Sequence, residues 1–443
     1  MIQVREYATL SSRCDGAASL DLGFVSEATL NWLLELQQKQ QSGLLSGSGR
    51  NSVKLGSYVG YLQSPNGECI EILPKTQRQL PSPAQALENR RLLREMLLTS
   101  LQLKSREADA ASLQRLRTPL HEWIFTQFLD QLSQLVRHGL RFDYQRVEEE
   151  SRFIRGRLDQ TRQSRQTPDR ATWFHIQHDI YSPQRIENRL LKTALDGVLK
   201  LTRNPDNWRL ANELAHQMIE IAPCHNPLAD LPKWQSGKLM QTYDAVKPWC
   251  ALILEKLNPS FQRGRHRGIA LLFPMERLFE NYVAHWLKRQ LAPYSRLRTQ
   301  ACNKHLLRHK PEGAPLERGW FQLRPDLLLE TCLPGLAPVA SVMDSKWKLL
   351  DNKLASSDSK YNLSQADMYQ LYAYGQQYMN GAGHMALIFP AHADFQAALP
   401  RFSFSKDLHL WALPFDLKRR QLVPGAWLEN FPGLRACVDR EAV

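Results

Sequence analysis

The sequence predicts a multidomain α+β protein with an N-terminal β-rich unit (1–80), a mostly helical middle region (81–260) and a C-terminal α/β domain with a mixed sheet (261–443). Three observations predict this class. The chain has 443 residues, and at roughly 150 residues per domain this length suggests two or three domains. Alternating apolar runs dominate the start, and helical spacing interrupted by prolines dominates the middle. The last part reads helix, strand, strand, helix, strand, which is typical of an α/β arrangement.

The N-terminal part contains signals for strands and one helix. Residues 2–7 alternate like a strand, and residues 25–39 have apolar positions at helical spacing after Ser26, a possible helix cap. Residues 57–76 form two alternating runs around Pro65-Asn66-Gly67. Such a turn between alternating runs predicts a β-hairpin.

The middle region is predicted to be helical with one short strand pair. Ser82 and Pro83 begin a helix that extends to about residue 103, and a second helix covers 119–138 before Gly139. Residues 141–157 indicate two strands around an acidic turn at 148–150. Further helical segments follow to residue 260.

The C-terminal part is predicted to contain a helix over 275–290, extended chain to 305, and a strand near 323–329. A turn at Pro334-Gly335 precedes the apolar run 339–343, and residues 364–377 indicate a helix. Two more apolar runs, 386–390 and 408–413, are typical of buried strands.

Composition limits the class of protein. Hydrophobic residues make up 43% and charged residues 23%, as in ordinary globular proteins. No apolar run approaches the ~20 residues of a membrane span, and the N-terminus has no signal-peptide pattern. The seven cysteines form no Cys-x-x-Cys pair, so we expect no zinc site or disulfide framework and a cytoplasmic location. The net charge of +13 favours polyanionic partners.

The tripeptide Asp-x-Lys occurs three times, at 344–346, 351–353 and 358–360. Roughly one copy is expected by chance in a chain of this length, so the context decides. Only Asp344 and Lys346 follow an apolar run, and residues i and i+2 of a strand share a face. The other two copies lie among Asn, Ser and Ala, which indicates a solvated loop.

A second aspartate, Asp326, could lie beside Asp344 in a metal site. Among three Pro-Asp pairs, only Pro325-Asp326 leads into an apolar run. A hairpin across Pro334-Gly335 would bring Asp326 beside Asp344. Metal-dependent phosphodiester cleavage needs carboxylates for a hard cation and a nearby positive charge. The alternative is a turn residue and an ion pair at the end of a strand, and on these residues alone both interpretations stay open.

Two predicted helices carry polar residues at matching spacing. Glu276 and Glu280 are four residues apart before the first strand, so either could add a carboxylate. Gln370 and Tyr374 are four apart in the later helix. They could support the site, or the tyrosine could simply pack in the core.

These motifs together resemble a known family. RPDLLL, VMDSKWK and QADMYQLYAYG are similar to the PD-(D/E)xK nuclease superfamily, in the variety found in McrC, the nuclease subunit of McrBC-type modification-dependent restriction systems. The upstream segments FDYQRVEEESRFIRGRLD, IENRLLKTAL, GIALLFPMERLFENYV and GYLQSPNGECIEILPKT resemble the same family, so the likeness covers most of the chain.

The resemblance implies roles for particular residues. Asp326 and Asp344 match the metal-binding acids, Lys346 the catalytic lysine, and Glu280, with Glu276 as rival, the helix carboxylate. The backbone carbonyl of Ser345 would help to hold Mg²⁺, or alternatively Mn²⁺. Gln370 and Tyr374 match supporting positions.

The resemblance also implies partners. Members work with a separate McrB-type AAA+ GTPase hexamer, which binds GTP and whose hydrolysis they stimulate, on double-stranded DNA with a methylcytosine-type modification. The chain has no Gly-x₄-Gly-Lys-[Ser/Thr] phosphate loop, which agrees with the motor being another polypeptide.

Two arginine-rich clusters are candidate DNA contacts, with a merely solvated surface as the alternative for each. The first comprises Arg152, Arg155, Arg157, Arg162, Arg165 and Arg170, and the second Arg263, Arg265 and Arg267. Two competing functions also remain: a non-catalytic adaptor or regulator of an AAA+ ring, and a stand-alone repair or RNA-processing nuclease of the same superfamily.

Overall fold

The computed structural model describes residues 1–14, 16–39, 43–49, 51–79, 82–103, 118–257, 268–312, 316–332, 334–335, 337–356 and 358–435. The strands are β1 Ile2–Arg5, β2 Thr9–Ser11, β3 Leu22–Phe24, β4 Leu45–Ser48, β5 Ser52–Leu55, β6 Tyr58–Gln63, β7 Cys69–Leu73, β8 Asp143–Ser151, β9 Arg157–Leu158, β10 Phe174–Ser182, β11 Ile269–Pro274, β12 Ser295–Thr299, β13 Lys304–His309, β14 Arg318–Leu323, β15 Leu327–Thr331, β16 Val339–Ser345, β17 Gly383–Pro390, β18 Phe402–Ser403, β19 Leu408–Asp416 and β20 Gln421–Leu422.

The α-helices are α1 Glu27–Lys39, α2 Pro83–Ser100, α3 Leu120–His138, α4 Gln160–Gln163, α5 Ile186–Leu201, α6 Pro205–Gln217, α7 Pro227–Asp230, α8 Gln241–Asp244, α9 Lys247–Leu252, α10 Met275–Leu287 and α11 Gln365–Met379. Within the described ranges, no helix is both long and apolar enough to cross a membrane. The predicted mixed α/β character is confirmed at this level.

The chain forms two compact units. The first comprises residues 1–60, 68–103 and 272–443, and the second residues 61–67 and 104–271. Most of the predicted N-terminal and C-terminal parts therefore belong to one unit, although they are far apart in sequence. The three-part domain division given above remains a prediction about how the chain is organised.

The N-terminal part of the first unit consists of two small sheets and the helix α1. β1 pairs with β7 in parallel, with Ile2 opposite Ile70, and a second sheet has the order β3-β2-β5-β4. α1 begins after Ser26, whose hydroxyl accepts a hydrogen bond from the Thr29 amide. The predicted strand and the predicted cap are both confirmed.

The second unit is mostly helical. α3 buries Trp123, Phe125 and Phe128 and ends at Gly139, whose φ of 93° is favourable only for glycine. Its three-stranded sheet has the order β8-β10-β9.

The predicted acidic turn at 148–150 is wrong. β8 continues straight through Glu148, Glu149 and Glu150, which lie opposite residues 177, 176 and 175 of β10. Arg162 and Arg170 each approach one of these carboxylates at 2.8 Å, and these contacts offset the repulsion that an acidic run brings.

The main sheet of the first unit is mixed, with order β12-β15-β16-β17-β19-β18 and β20 beside β19. β12, β15 and β16 are antiparallel, whereas β16, β17 and β19 are parallel. α11 packs Leu371, Tyr374 and Met379 into the core over this sheet. Gly375 permits the close approach, because a Cβ there would lie 2.8 Å from Leu408.

Candidate active site

Asp326 and Asp344 meet at the ends of two paired strands. β15 and β16 are antiparallel, with Leu327 opposite Met343, so the predicted hairpin around Pro334-Gly335 is confirmed. Ser345 donates two hydrogen bonds to Oδ2 of Asp326, from its amide at 2.9 Å and from its hydroxyl at 3.1 Å. The strand that carries Asp344 therefore also fixes the orientation of the Asp326 carboxyl.

The Asp344 carboxyl is buried and poorly satisfied. It is 2% exposed. The Lys346 ammonium lies 2.8 Å from its Oδ2, whereas its Oδ1 accepts no hydrogen bond from any described residue. Buried polar oxygens are nearly always hydrogen-bonded. A buried carboxylate oxygen without a partner is thus suited to binding a cation.

Burial and neighbouring acidic groups disfavour the ionised form of both carboxyls. Burial raises the pKa of Asp326 to about 6, and the charge of Glu280 adds to this shift. Burial likewise raises the pKa of Asp344 to about 6, with a further contribution from Asp326. A divalent cation between the carboxyls would relieve both effects.

Lys346 stays protonated in this environment. Burial acts to lower its pKa, but the carboxylates of Asp344, Asp367 and Asp326 together outweigh burial, and the pKa is raised above the usual lysine range. Asp367 of α11 approaches the same ammonium at 3.7 Å. Two acidic groups thus hold the ammonium in place as a fixed positive charge.

The structure separates the two glutamates of α10. Glu280 acts electrostatically on Asp326, accepts a hydrogen bond from Gln300, and has its pKa raised by burial. Glu276 is exposed, and its charge contributes to the raised pKa of Tyr7. Of the two, Glu280 is the one whose charge acts on Asp326.

The acidic residues do not form a complete metal cage. Across the described residues, no three His, Cys, Asp or Glu side chains converge to hold a metal ion. Mg²⁺, however, commonly takes one or two carboxylates, several waters and substrate phosphates. The pair of Asp326 and Asp344, with an unsatisfied carboxyl, fits that mode of binding.

A cavity of about 810 Å³ opens over this group. Its lining includes five residues expected from the sequence, Glu276, Glu280, Asp326, Ser345 and Lys346, but not the buried Asp344. The lining also includes residues that were not expected, Tyr7, Lys75, Arg78, Trp347, Lys348, Asn362 and Asp367. Asp367 could have been noticed, since it lies one helical turn before Gln370. Lys75 and Arg78 carry no local signal, because they follow β7 in the N-terminal part.

Gln370 and Tyr374 interact with each other at the edge of the site. The amide of Gln370 donates to the Tyr374 hydroxyl at 2.7 Å, and this hydroxyl donates to the carbonyl of Arg324 at 3.0 Å. The Tyr374 ring is also buried in the core. The side chain therefore both packs and fixes the segment just before Asp326.

Tyr374→Phe is expected to keep the core packing and lose this attachment. We expect about 1 kcal/mol lower free energy of unfolding. Tyr372→Phe, which alters an exposed ring on the same helix, is the matched control. Equal stability of the two variants in denaturant titrations would contradict the assigned role of the Tyr374 hydroxyl.

Glu6 connects the N-terminal strand region to the site. Its Oε2 accepts hydrogen bonds from Nε1 of Trp347 at 2.8 Å and from the Lys75 amide at 2.9 Å, and its Oε1 accepts from Ser57 at 3.1 Å. Trp347 directly follows Lys346. The buried Glu6 carboxyl thus stabilises the chain segment that presents the lysine.

Glu6→Gln is expected to change how stability depends on pH. Burial raises the pKa of Glu6 to about 7 from 4.5. A carboxyl whose pKa is higher in the folded than in the unfolded protein stabilises the fold at pH values below its unfolded pKa. This contribution is lost as the pH rises through the folded pKa of about 7. At about 1.4 kcal/mol per pKa unit, wild type should lose roughly 3 kcal/mol more than the variant between pH 4.5 and 8.

Denaturant titrations across this pH range measure the difference. Gln can accept the Trp347 and Lys75 hydrogen bonds through its oxygen and donate to Ser57 through its amide. Glu27→Gln, at an exposed carboxylate of α1, should follow wild type. Parallel pH profiles for wild type and Glu6→Gln would show that this carboxyl is not perturbed.

The first arginine cluster is exposed and partly paired. Arg162 lies 2.8 Å from Glu148, Arg170 lies 2.8 Å from Glu150, and Arg152 covers the Trp173 ring at 5.1 Å. Arg155, Arg157 and Arg165 are also exposed. Residues Arg263, Arg265 and Arg267 lie outside the described residues.

Comparisons with known proteins agree with one another. The family model described as "McrBC 5-methylcytosine restriction system component" matches residues 53–390. A solved structure titled "Refined half-complex from tetradecameric assembly of Thermococcus gammatolerans McrB AAA+ hexamers with bound McrC" matches with a TM-score of 0.65, 18% identity and 94% coverage of each chain. A structure of the Thermococcus gammatolerans McrBC complex matches with a TM-score of 0.50 and 22% identity, over 67% of this chain and 89% of that one. At these identities the structural likeness is one of fold. No match was found among curated proteins.

Proposed function

The chain belongs to the McrBC family of 5-methylcytosine restriction system components, and on that premise we propose that it is the metal-dependent DNA endonuclease subunit of a modification-dependent restriction complex. The observation that supports this most is the buried Asp344 carboxyl, whose Oδ1 has no hydrogen-bond partner among the described residues, next to Lys346. Asp326 and Lys346 line an open cavity, and Asp344 lies behind them. A purely structural ion pair would gain nothing from leaving a carboxylate oxygen without a hydrogen bond.

In this proposal, the C-terminal part is a PD-(D/E)xK nuclease domain. Asp326 and Asp344, with the backbone carbonyl of Ser345 and help from Glu280, would hold Mg²⁺ or Mn²⁺. The bound ion would supply Lewis-acid stabilisation of the phosphate and a more acidic water. Ser345 orients Asp326 for this role through its amide and hydroxyl.

Lys346 supplies a fixed positive charge at the reacting phosphate. Its raised pKa makes it a poor proton acceptor at neutral pH, so it orients the attacking water and stabilises negative charge rather than acting as a general base. Asp367 restrains the ammonium from the side of α11. Gln370 and Tyr374 keep the segment before Asp326 in place.

The proposed partner is a separate McrB-type AAA+ GTPase hexamer that acts on double-stranded DNA carrying modified cytosine. The similar solved structure is titled as McrB AAA+ hexamers with bound McrC. This chain has no phosphate loop of its own, so GTP would be bound by the motor, whose hydrolysis this subunit would stimulate. The exposed arginines of the 152–170 cluster would contact phosphates without reading sequence, in the cytoplasm.

A reconstituted cleavage assay tests the proposal. The full chain is incubated with methylated or unmethylated duplex, with and without Mg²⁺, the motor and GTP. We expect cleavage of methylated DNA only when all three are present. Stimulated GTP hydrolysis without any cleavage would favour the adaptor function. Efficient cleavage without the motor would favour a stand-alone nuclease.

A further inference from the structure

The hairpin formed by β13 and β14 stands apart from the main sheet. Its two strands pair only with each other among the described strands, with Leu307 opposite Trp320. Five of the six residues in each strand are exposed. An isolated two-stranded hairpin is marginally stable in water, so its base must be fixed and its exposed faces are available to a partner.

α11 fixes the base of this hairpin. The Tyr378 hydroxyl lies 3.0 Å from the carbonyl of Ala301 and 3.1 Å from that of Leu323, within donating distance of both. The Gln377 amide donates to the carbonyl of Leu306 at 3.3 Å. The same helix carries Tyr374 and Asp367 of the candidate active site, so the hairpin is held in a defined position relative to that site.

The hairpin is strongly basic. Residues 304–324 contain five basic side chains, Lys304, Arg308, Lys310, Arg318 and Arg324, and only two acidic ones, Glu312 and Glu317. Arg308 approaches Glu317 no closer than 3.9 Å, a weak contact for two exposed groups. His305 and His309 lie on the same strand. An exposed surface of this charge favours a polyanion.

The chain leads directly from the hairpin into the site. β14 ends at Leu323, three residues before Asp326, and Arg324 lies between them. Gln322 holds the Arg324 guanidinium at 2.7 Å and donates to the carbonyl of Cys302. A duplex lying on the hairpin would therefore run alongside the cavity that contains Asp326.

We propose that the β13–β14 hairpin binds the sugar–phosphate backbone of double-stranded DNA next to the scissile phosphate. This inference rests on the proposed nuclease function and adds a DNA surface to it. Two exposed aromatic rings, Trp320 and Phe321, lie between Arg318 and Arg324 in the sequence. Protein–protein interfaces lack charge at their centre, whereas basic and aromatic residues together suit sugar and phosphate contacts.

Charge reversal on the hairpin tests this proposal. Arg308→Glu, Lys310→Glu and Arg318→Glu are combined in the full chain, and binding to a labelled duplex is measured in EDTA over a range of salt concentrations. We expect the Kd near 0.1 M salt to rise about tenfold or more. The slope of log K against log salt should fall by roughly two to three, about one for each lost phosphate contact.

A matched variant controls for net charge. Lys54→Glu, Lys288→Glu and Lys406→Glu change three exposed basic residues on other elements and should leave the Kd within about twofold of wild type, as expected away from a phosphate surface. Both variants are compared by circular dichroism and thermal unfolding. Equal Kd values and salt slopes for the two triple variants would overturn the proposal. Loss of association with the motor or with a second copy, with DNA binding retained, would also overturn it and identify a protein-docking surface.

Lys346→Ala separates this inference from the function it rests on. That variant should lose cleavage, while its Kd for DNA rises much less than that of the triple hairpin variant, because it removes a single phosphate contact. If wild type cleaves no DNA under any condition but the hairpin variant still loses DNA affinity, the DNA surface stands and the nuclease proposal fails.

Discussion

Asp344→Asn is expected to lower Mg²⁺-dependent DNA cleavage by about a thousandfold or more. Metal-based stabilisation of a phosphoryl transition state is worth several kcal/mol, and each 1.36 kcal/mol is tenfold in rate. The substitution removes one of the two carboxylates proposed to hold the metal. Burial outweighs the contact with Lys346 and raises the pKa of the native carboxyl to about 6, so its ionised form costs stability near neutral pH. The neutral amide should therefore leave the melting temperature unchanged or raise it.

The chain offers a close control for this experiment. Asp358 occurs in the same Asp-x-Lys tripeptide but is exposed, so Asp358→Asn should cleave like wild type. Initial rates with the motor, GTP and methylated duplex measure the effect. A cleavage rate for Asp344→Asn above about a tenth of the wild-type rate would be a loss of less than about tenfold, far smaller than predicted. That result would show that this carboxylate does not hold the metal.

Lys346→Ala is expected to lower the cleavage rate by about a hundredfold to ten-thousandfold, the range typical of removing one positioned charge or proton donor. Unlike Asp344→Asn, it leaves both aspartates in place, so Mn²⁺ should still bind. In the wild-type protein, the Lys346 ammonium lowers the pKa of Asp344. In the variant, protons compete better with the metal for this carboxyl, so metal binding should require a higher pH.

Single-turnover cleavage and metal titration together test the lysine. Lys360→Ala, in the third Asp-x-Lys tripeptide, is the matched control. Loss of metal binding together with cleavage in Lys346→Ala would indicate that the lysine mainly supports the fold of the site. Normal cleavage would show that the ammonium has no part in the reaction.

Local sequence patterns predicted most of the elements that carry the aspartates. The apolar runs beside Asp326 and Asp344, separated by Pro334-Gly335, predicted the β15–β16 pair because strand and turn signals are both local properties. The start of α2 after Ser82 and the end of α3 at Gly139 could be predicted because capping signals are also local. Context also distinguished Asp344 from the exposed copy at Asp358. The prediction was wrong for Asp351, which is half-buried because it pairs with Arg78 at 2.6 Å.

Contacts between distant segments could not be predicted. Glu6 and Trp347 are 341 residues apart, and nothing near either residue indicates the other. Lys75 and Arg78 line the cavity although the sequence placed them in a separate N-terminal unit. The strand partner of 148–150 comes from β10, after an intervening segment. Non-local strand pairing and burial of lone polar groups depend on tertiary packing.

The most direct test of the metal centre is a titration of the full chain with Mn²⁺, followed by electron paramagnetic resonance and competed with Mg²⁺. We predict that Mn²⁺ binds at one site and that Mg²⁺ displaces it. Binding should weaken as pH falls through about 6, where Asp326 and Asp344 take up protons. It should be lost in Asp326→Asn and Asp344→Asn but kept in Asp358→Asn. Mn²⁺ binding of unchanged strength in the first two variants would contradict the proposed active site.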